Sequence, residues 1–133
     1  MAAPARFEMP TRRYHPVSPD RHGTRFWRRF DSYAFAETCA VVPVVLGELA
    51  ETAALFPLAF DLADGHCMPV ALLQLEPAGP VAWIDRDSGR WTAPYVPAAL
   101  RAYPFEATSD GTGALSLLVD EGSGLITGNP LDE

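Results

Sequence analysis

The sequence contains no lysine, only two cysteines and no long apolar run, and each shortage narrows what the chain can be. Without a stretch of about 18 apolar residues, a membrane-spanning helix is not expected. The opening "MAAPARFEMPTRRYH" carries arginines and an acid where a secretory leader needs an apolar segment, so a cytoplasmic protein is expected. Cys39 and Cys67 lie far apart and form no C-x-x-C pair, which in a reducing compartment predicts two free, buried thiols. Catalytic signatures are missing too. No G-x-G-x-x-G opens a helix after a strand, and "GSG" at 122–124 is too short for a nucleophile elbow. Asp85-x-Asp87-x-Gly89 starts like a calcium loop, but Val96 stands where the loop's closing acid is needed, so a turn braced by aspartate is expected. His66 beside Cys67 lacks two further zinc ligands, and His15 and His22 sit at no standard ligand spacing. No metal and no cofactor are expected.

What is present is unevenly spread. The first thirty residues hold seven arginines against two acids, and the remainder holds three arginines against fifteen acids, within a net charge of −7. A net anion is a poor partner for nucleic acid, so the basic arm is expected to fold back on the acidic body rather than to meet DNA or RNA.

Thirteen prolines among 133 residues argue against a helical bundle, because proline removes a backbone donor and blocks helix interiors. Residues 1–20, with Pro4, Pro10, Pro16 and Pro19, read as an extended basic arm, and residues 21–133 as a single domain. In "RFWRRFDSYAFAE" the rings of Phe26, Trp27, Phe30, Tyr33 and Phe35 are expected to anchor the entry of that arm. Val42, Val45, Leu46, Leu49, Ala53 and Phe56 recur at helical steps, with Glu48 and Glu51 off the stripe, predicting one main helix over 42–56 that Pro57 ends. Strand-like runs follow at "LAFDLA", "CMPVALLQLE", "VAWID", "FEATS" and "ALSLLVD", with a hairpin turn at 63–66. The fold class expected is α+β, an antiparallel sheet of about five strands packed by one helix.

"GRWTAPYVPAALRAYPF", residues 89–105, concentrates aromatics and prolines. Pro97 and Pro104 bracket a short helix, so that Leu100 and Tyr103 face the core and Arg101 points away. Tyr95, Arg101 and Tyr103 are the candidates for a rim meeting a peptide or an anion, and His22 in "SPDRHGTR" is a fourth candidate, since nearby arginines can hold an anion.

The order "SPDRH", "YAFA", a proline-headed helix, "FPLAF", "PVALL", "WID..SGRW", "YVPAALRAYPF", "LVDEGSG" and "GNPLDE" resembles the SapC family of bacterial proteins. Departures include Ala102 where members commonly carry a second arginine, and Val81-Ala82-Trp83 in place of an Asn-Leu-Phe. Members commonly continue past the position of Glu133, so the resemblance implies either a short form or a fragment. It brings no catalytic residues. It implies a Gram-negative setting and an accessory role in an envelope, secretion or peptide-related system, with a protein, a peptide or another copy of the chain as partner. The rival expectation is a small enzyme, or an enzyme subunit, acting on a peptide or anionic small molecule from His22 and its arginines.

Overall fold

The computed structural model describes residues 13–63, 65–109 and 112–130. In chain order its elements are β1 (Tyr14–Pro16), α1 (Pro19–His22), β2 (Phe26–Trp27), β3 (Val41–Pro43), α2 (Leu49–Ala53), β4 (Leu58–Ala63), β5 (His66–Leu72), α3 (Ala98–Arg101), β6 (Phe105–Ser109), β7 (Leu115–Asp120) and β8 (Ile126–Thr127), with three single 3-10 turns between them. The class is α+β, as expected. The strands, however, are shared among three small antiparallel sheets instead of one. The described residues of Ser32–Arg101 form one compact unit, and those of Thr11–Asp31 with Ala102–Glu133 form a second.

In the first unit the strand order is β3-β5-β4. The β4–β5 hairpin runs from Leu58↔Ala71 to Ala63↔His66, and Gly65, at φ +78°, supplies the left-handed step of its turn. Only the inner end of the hairpin is covered: Val70 and Ala71 are buried, while Phe60 and Leu62 are exposed. Cys67 lies toward that open end and is exposed, correcting the expectation of two buried thiols; Cys39 is buried, and no disulfide joins them.

The helix expected over 42–56 is corrected as well. Val41–Pro43 is a strand, Leu46–Glu48 a 3-10 turn, and the α-helix proper covers only Leu49–Ala53. Four valines in five positions favour extended backbone, and Pro43 pushes Val42 away from helical geometry. Pro43 is tolerated because β3 lies at a sheet edge. The shift changes the expected faces in the middle of the segment, where Val45 and Leu46 are exposed and Glu48 is buried, while Val42 and Phe56 at its ends are buried as expected.

"VAWID" forms no strand, only bridges pairing Gln74 with Val81 and Ile84 with Trp91. The turn beyond it is braced by Ser88, whose backbone N–H and hydroxyl both donate to Asp85 Oδ1, at 2.8 and 2.6 Å. Those bonds are the main reason the Asp85 carboxyl is held below its ordinary value. Gly89 has φ +68°, and a Cβ there would fall 2.0 Å from Ser32 Oγ, so both conformation and space demand glycine. Trp91 packs on Tyr33 and Phe56, and Phe56 meets Trp83 edge-on at 5.2 Å. Leu100, on α3, is fully buried, a gain of about 1.5–3 kcal/mol over exposure.

In the second unit β1-β7-β6 form one sheet and β2 pairs with β8. Residues 14–16 of the arm are thus a strand, in register Tyr14↔Asp120 through Pro16↔Leu118, and residues 19–22 are helical; residues 1–12 lie outside the described residues. Trp27 packs edge-on against Phe105 at 5.6 Å and Phe30 against Tyr103 at 6.4 Å. Tyr103 is buried and Arg101 exposed, as their spacing predicts.

Candidate functional site

The "SPDRH" stretch closes on itself. Ser18 caps α1, its hydroxyl accepting from the Arg21 N–H at 3.3 Å, while the Ser18 N–H donates to His22 Nδ1 at 3.1 Å. Pro19 occupies the first helical position, where its missing donor costs nothing. Because Nδ1 accepts, the neutral ring carries its proton on Nε2, which donates to Glu121 Oε1 at 3.1 Å. Arg21 grips the same carboxylate with two N–H groups, Nε on Oε1 and Nη2 on Oε2 at 2.8 Å. His15 Nε2, from β1, stands 3.8 Å from Oε2. Among the described residues no group of three His, Cys, Asp or Glu side chains is arranged to hold a metal ion.

The Arg21 hydrogen bond is the main reason the Glu121 carboxyl is held at about 2 rather than 4.5; the charge of Arg21, the His22 bond and the pull of His15 add to it, against burial. The folded value lies below the unfolded one. Stabilisation is therefore complete above pH 4.5 and lost as pH falls toward about 2. A carbon-13 titration of Glu121 should show this midpoint, and Arg21→Ala should move it up toward 4.5. A midpoint unmoved by Arg21→Ala would assign the effect to another group.

For His22 the consequence is chemical. Both ring nitrogens are engaged, one by a backbone donor and one by a carboxylate, so the ring must surrender a partner before it takes a proton from any substrate. Its place is that of a brace between α1 and the turn that carries Glu121.

Beside the brace lies a groove with two compartments. The polar one, about 270 Å³, is lined by Arg21, His22, Arg25, Glu121 and Ile126. The apolar one, about 200 Å³, shares His22, Arg25 and Ile126 and adds Val17, Phe26, Trp27, Phe105 and Val119. Strand alternation builds its floor: the register Phe105↔Val119, Ala107↔Leu117, Ser109↔Leu115 sets these residues on one face of the β6–β7 hairpin. That apolar face runs on past the groove, with Leu117 48% and Leu115 79% exposed. Trp27 and Val17 are 42% and 40% exposed at its margin.

The other three candidates named from sequence belong to two arrangements. Tyr95 and Arg101 come together in the first unit on Glu48: the Tyr95 hydroxyl donates to Oε2 at 2.7 Å, as does the Ala98 N–H at 2.8 Å, and Arg101 Nη2 lies 3.9 Å away. The Arg101 guanidinium also lies 5.4 Å from the Tyr95 ring centroid. The bond to Glu48, with burial, pushes the Tyr95 hydroxyl above its ordinary value. Tyr103 belongs to the second unit, where its hydroxyl donates to buried Asp120 at 3.1 Å.

Sequence reasoning missed every acid in these arrangements, while Arg21 and Arg25 entered it only as the arginines beside His22 in "SPDRHGTR". One signal was available: Asp120 and Glu121 follow directly on the apolar run of β7, where an acid meets the sheet end.

A protein-family model described as SapC matches residues 17–132. No curated protein and no solved structure matches the chain significantly.

Proposed function

The chain belongs to the SapC family, and from that premise we propose that it is a non-enzymatic accessory protein that binds an apolar segment of a peptide or protein partner on its β6–β7 face. The system it serves is an envelope, secretion or peptide-related one, the setting the family resemblance implies. The observation that carries the binding reading is the exposed apolar run of Leu115, Leu117, Trp27 and Val17 leading into the groove. Sheet faces left open to water in this way mark interaction surfaces. The candidate residues divide accordingly: His22 braces the groove, Arg101 and Tyr95 brace α3 through Glu48, and Tyr103 braces the β7 end through Asp120.

The test is a paired purification from a Gram-negative host, comparing the full chain with its Leu115→Asp, Leu117→Asp double variant and weighing retained peptide or protein by native mass spectrometry. Both positions are exposed, so the fold should survive. The expected result is a discrete retained species with the parent chain and a tenfold or greater loss with the variant, on the order of two buried apolar contacts. Equal retention by both chains, or turnover of any peptide that His22→Ala abolishes without unfolding the protein, would overturn the reading.

A further inference from the structure

Arg25 stands where the polar and apolar compartments meet and lines both. The other guanidinium in the polar compartment, Arg21, is already matched by Glu121 through two N–H groups. Among the described residues no carboxylate lies within ion-pair reach of Arg25. The lining therefore carries one positive charge without a counter-charge, placed against an aromatic pocket.

We propose that Arg25 receives the terminal carboxylate of a peptide whose last side chain is apolar and packs against Phe26, Trp27 and Phe105. The inference rests on the binding reading above and gives it a chemistry. A guanidinium presents a planar fork that matches a carboxylate. With Arg21 and Glu121 cancelling, the one remaining charge of Arg25 matches a monoanion rather than a dianionic phosphate. The chain preceding that last residue then runs over Leu117 and Leu115, which explains why the apolar face continues beyond the pocket.

The experiment uses two acetylated hexapeptides ending in Leu-Phe, identical except that one is a free acid and the other a carboxamide. Each is titrated into the full chain and followed by NMR. The expected result is movement of the Trp27 and Phe105 signals with both peptides, with the acid binding about tenfold tighter, the size of a charge-assisted pair. Arg25→Gln, at an exposed position, should erase the difference between acid and amide. Equal binding of acid and amide, or a preference that survives Arg25→Gln, overturns the carboxylate assignment and leaves the apolar docking face standing. No movement at Trp27 and Phe105 with either peptide overturns both.

Discussion

Glu48→Ala should lower stability by about 3 kcal/mol, because it strips a partner from several donors at once and bonds to a charged acceptor are worth about 1.5–3 kcal/mol each. The Glu48 carboxylate accepts from the Tyr95 hydroxyl, from the Ala98 N–H that opens α3, and, at 3.2 Å, from the Val45 N–H that opens its own turn. Only 4% of the residue is exposed, so water cannot readily replace it. Against a total stability of about 5–15 kcal/mol this is a large fraction. Chemical denaturation measures the loss, and Glu48→Gln, which keeps an acceptor and the volume, should recover part of it. A second readout separates this assignment from general loosening. Since Glu48 raises the Tyr95 hydroxyl, the ultraviolet titration of that tyrosine should fall back toward 10.0 in Glu48→Gln while the fold persists. The sign follows from the raised value: the Tyr95–Glu48 bond contributes in full below pH 10 and is lost as pH rises beyond it. A fall in stability of less than about 1 kcal/mol on Glu48→Ala would mean that solvent reaches these donors after all.

The same residue marks the limit of pattern reading. Local pairings were legible: "LAFDLA" is β4 over Leu58–Ala63 and "FEATS" is β6 over Phe105–Ser109, because a hairpin's register is set by its own turn and alternation. The segment 42–56 was not, since its apolar spacing fits a helix while its valines and Pro43 favour a strand, and the sheet partner β5 lies about thirty residues away. Placing Glu48 off the apolar stripe agrees with the rule that carboxylates face water. The rule failed because Tyr95 and Ala98, 47 and 50 residues further on, bring donors that no local window contains. Tyr95, Arg101 and Tyr103 stand out in the sequence as polar groups within an apolar stretch, but the acids that engage them, Glu48 and Asp120, lie too far along the chain to be read with them.

Asp120→Ala should cost about as much as Glu48→Ala, roughly 3 kcal/mol by the same count of bonds to a buried carboxylate, and its effect should reach the groove. Asp120 is 2% exposed. Its Oδ1 accepts from the Arg13 N–H at 3.1 Å and the Gly122 N–H at 2.9 Å, and its Oδ2 from the Tyr103 hydroxyl at 3.1 Å. The first bond ties the approach to β1, and the second shapes the 3-10 turn Glu121–Ser123 that aims Glu121 at Arg21 and His22. Tyr103→Phe, which deletes only the hydroxyl, should cost about 1 kcal/mol. The double variant should fall short of the sum, because a hydroxyl that has already lost its acceptor has little left to contribute. Exact additivity would mean that the pair is not coupled. The decisive readout is the carboxyl of Glu121, which titrates at about 2 only while Arg21 and His22 hold it. If Asp120 sets the turn, Asp120→Ala raises that midpoint toward 4.5 in the fraction that stays folded; if the midpoint stays at about 2, the Arg21 fork alone positions Glu121. The first outcome makes the buried acid of β7 the support of the groove's polar end, and an Asp120→Ala chain should then also lose the preference for a free peptide acid that Arg25 confers.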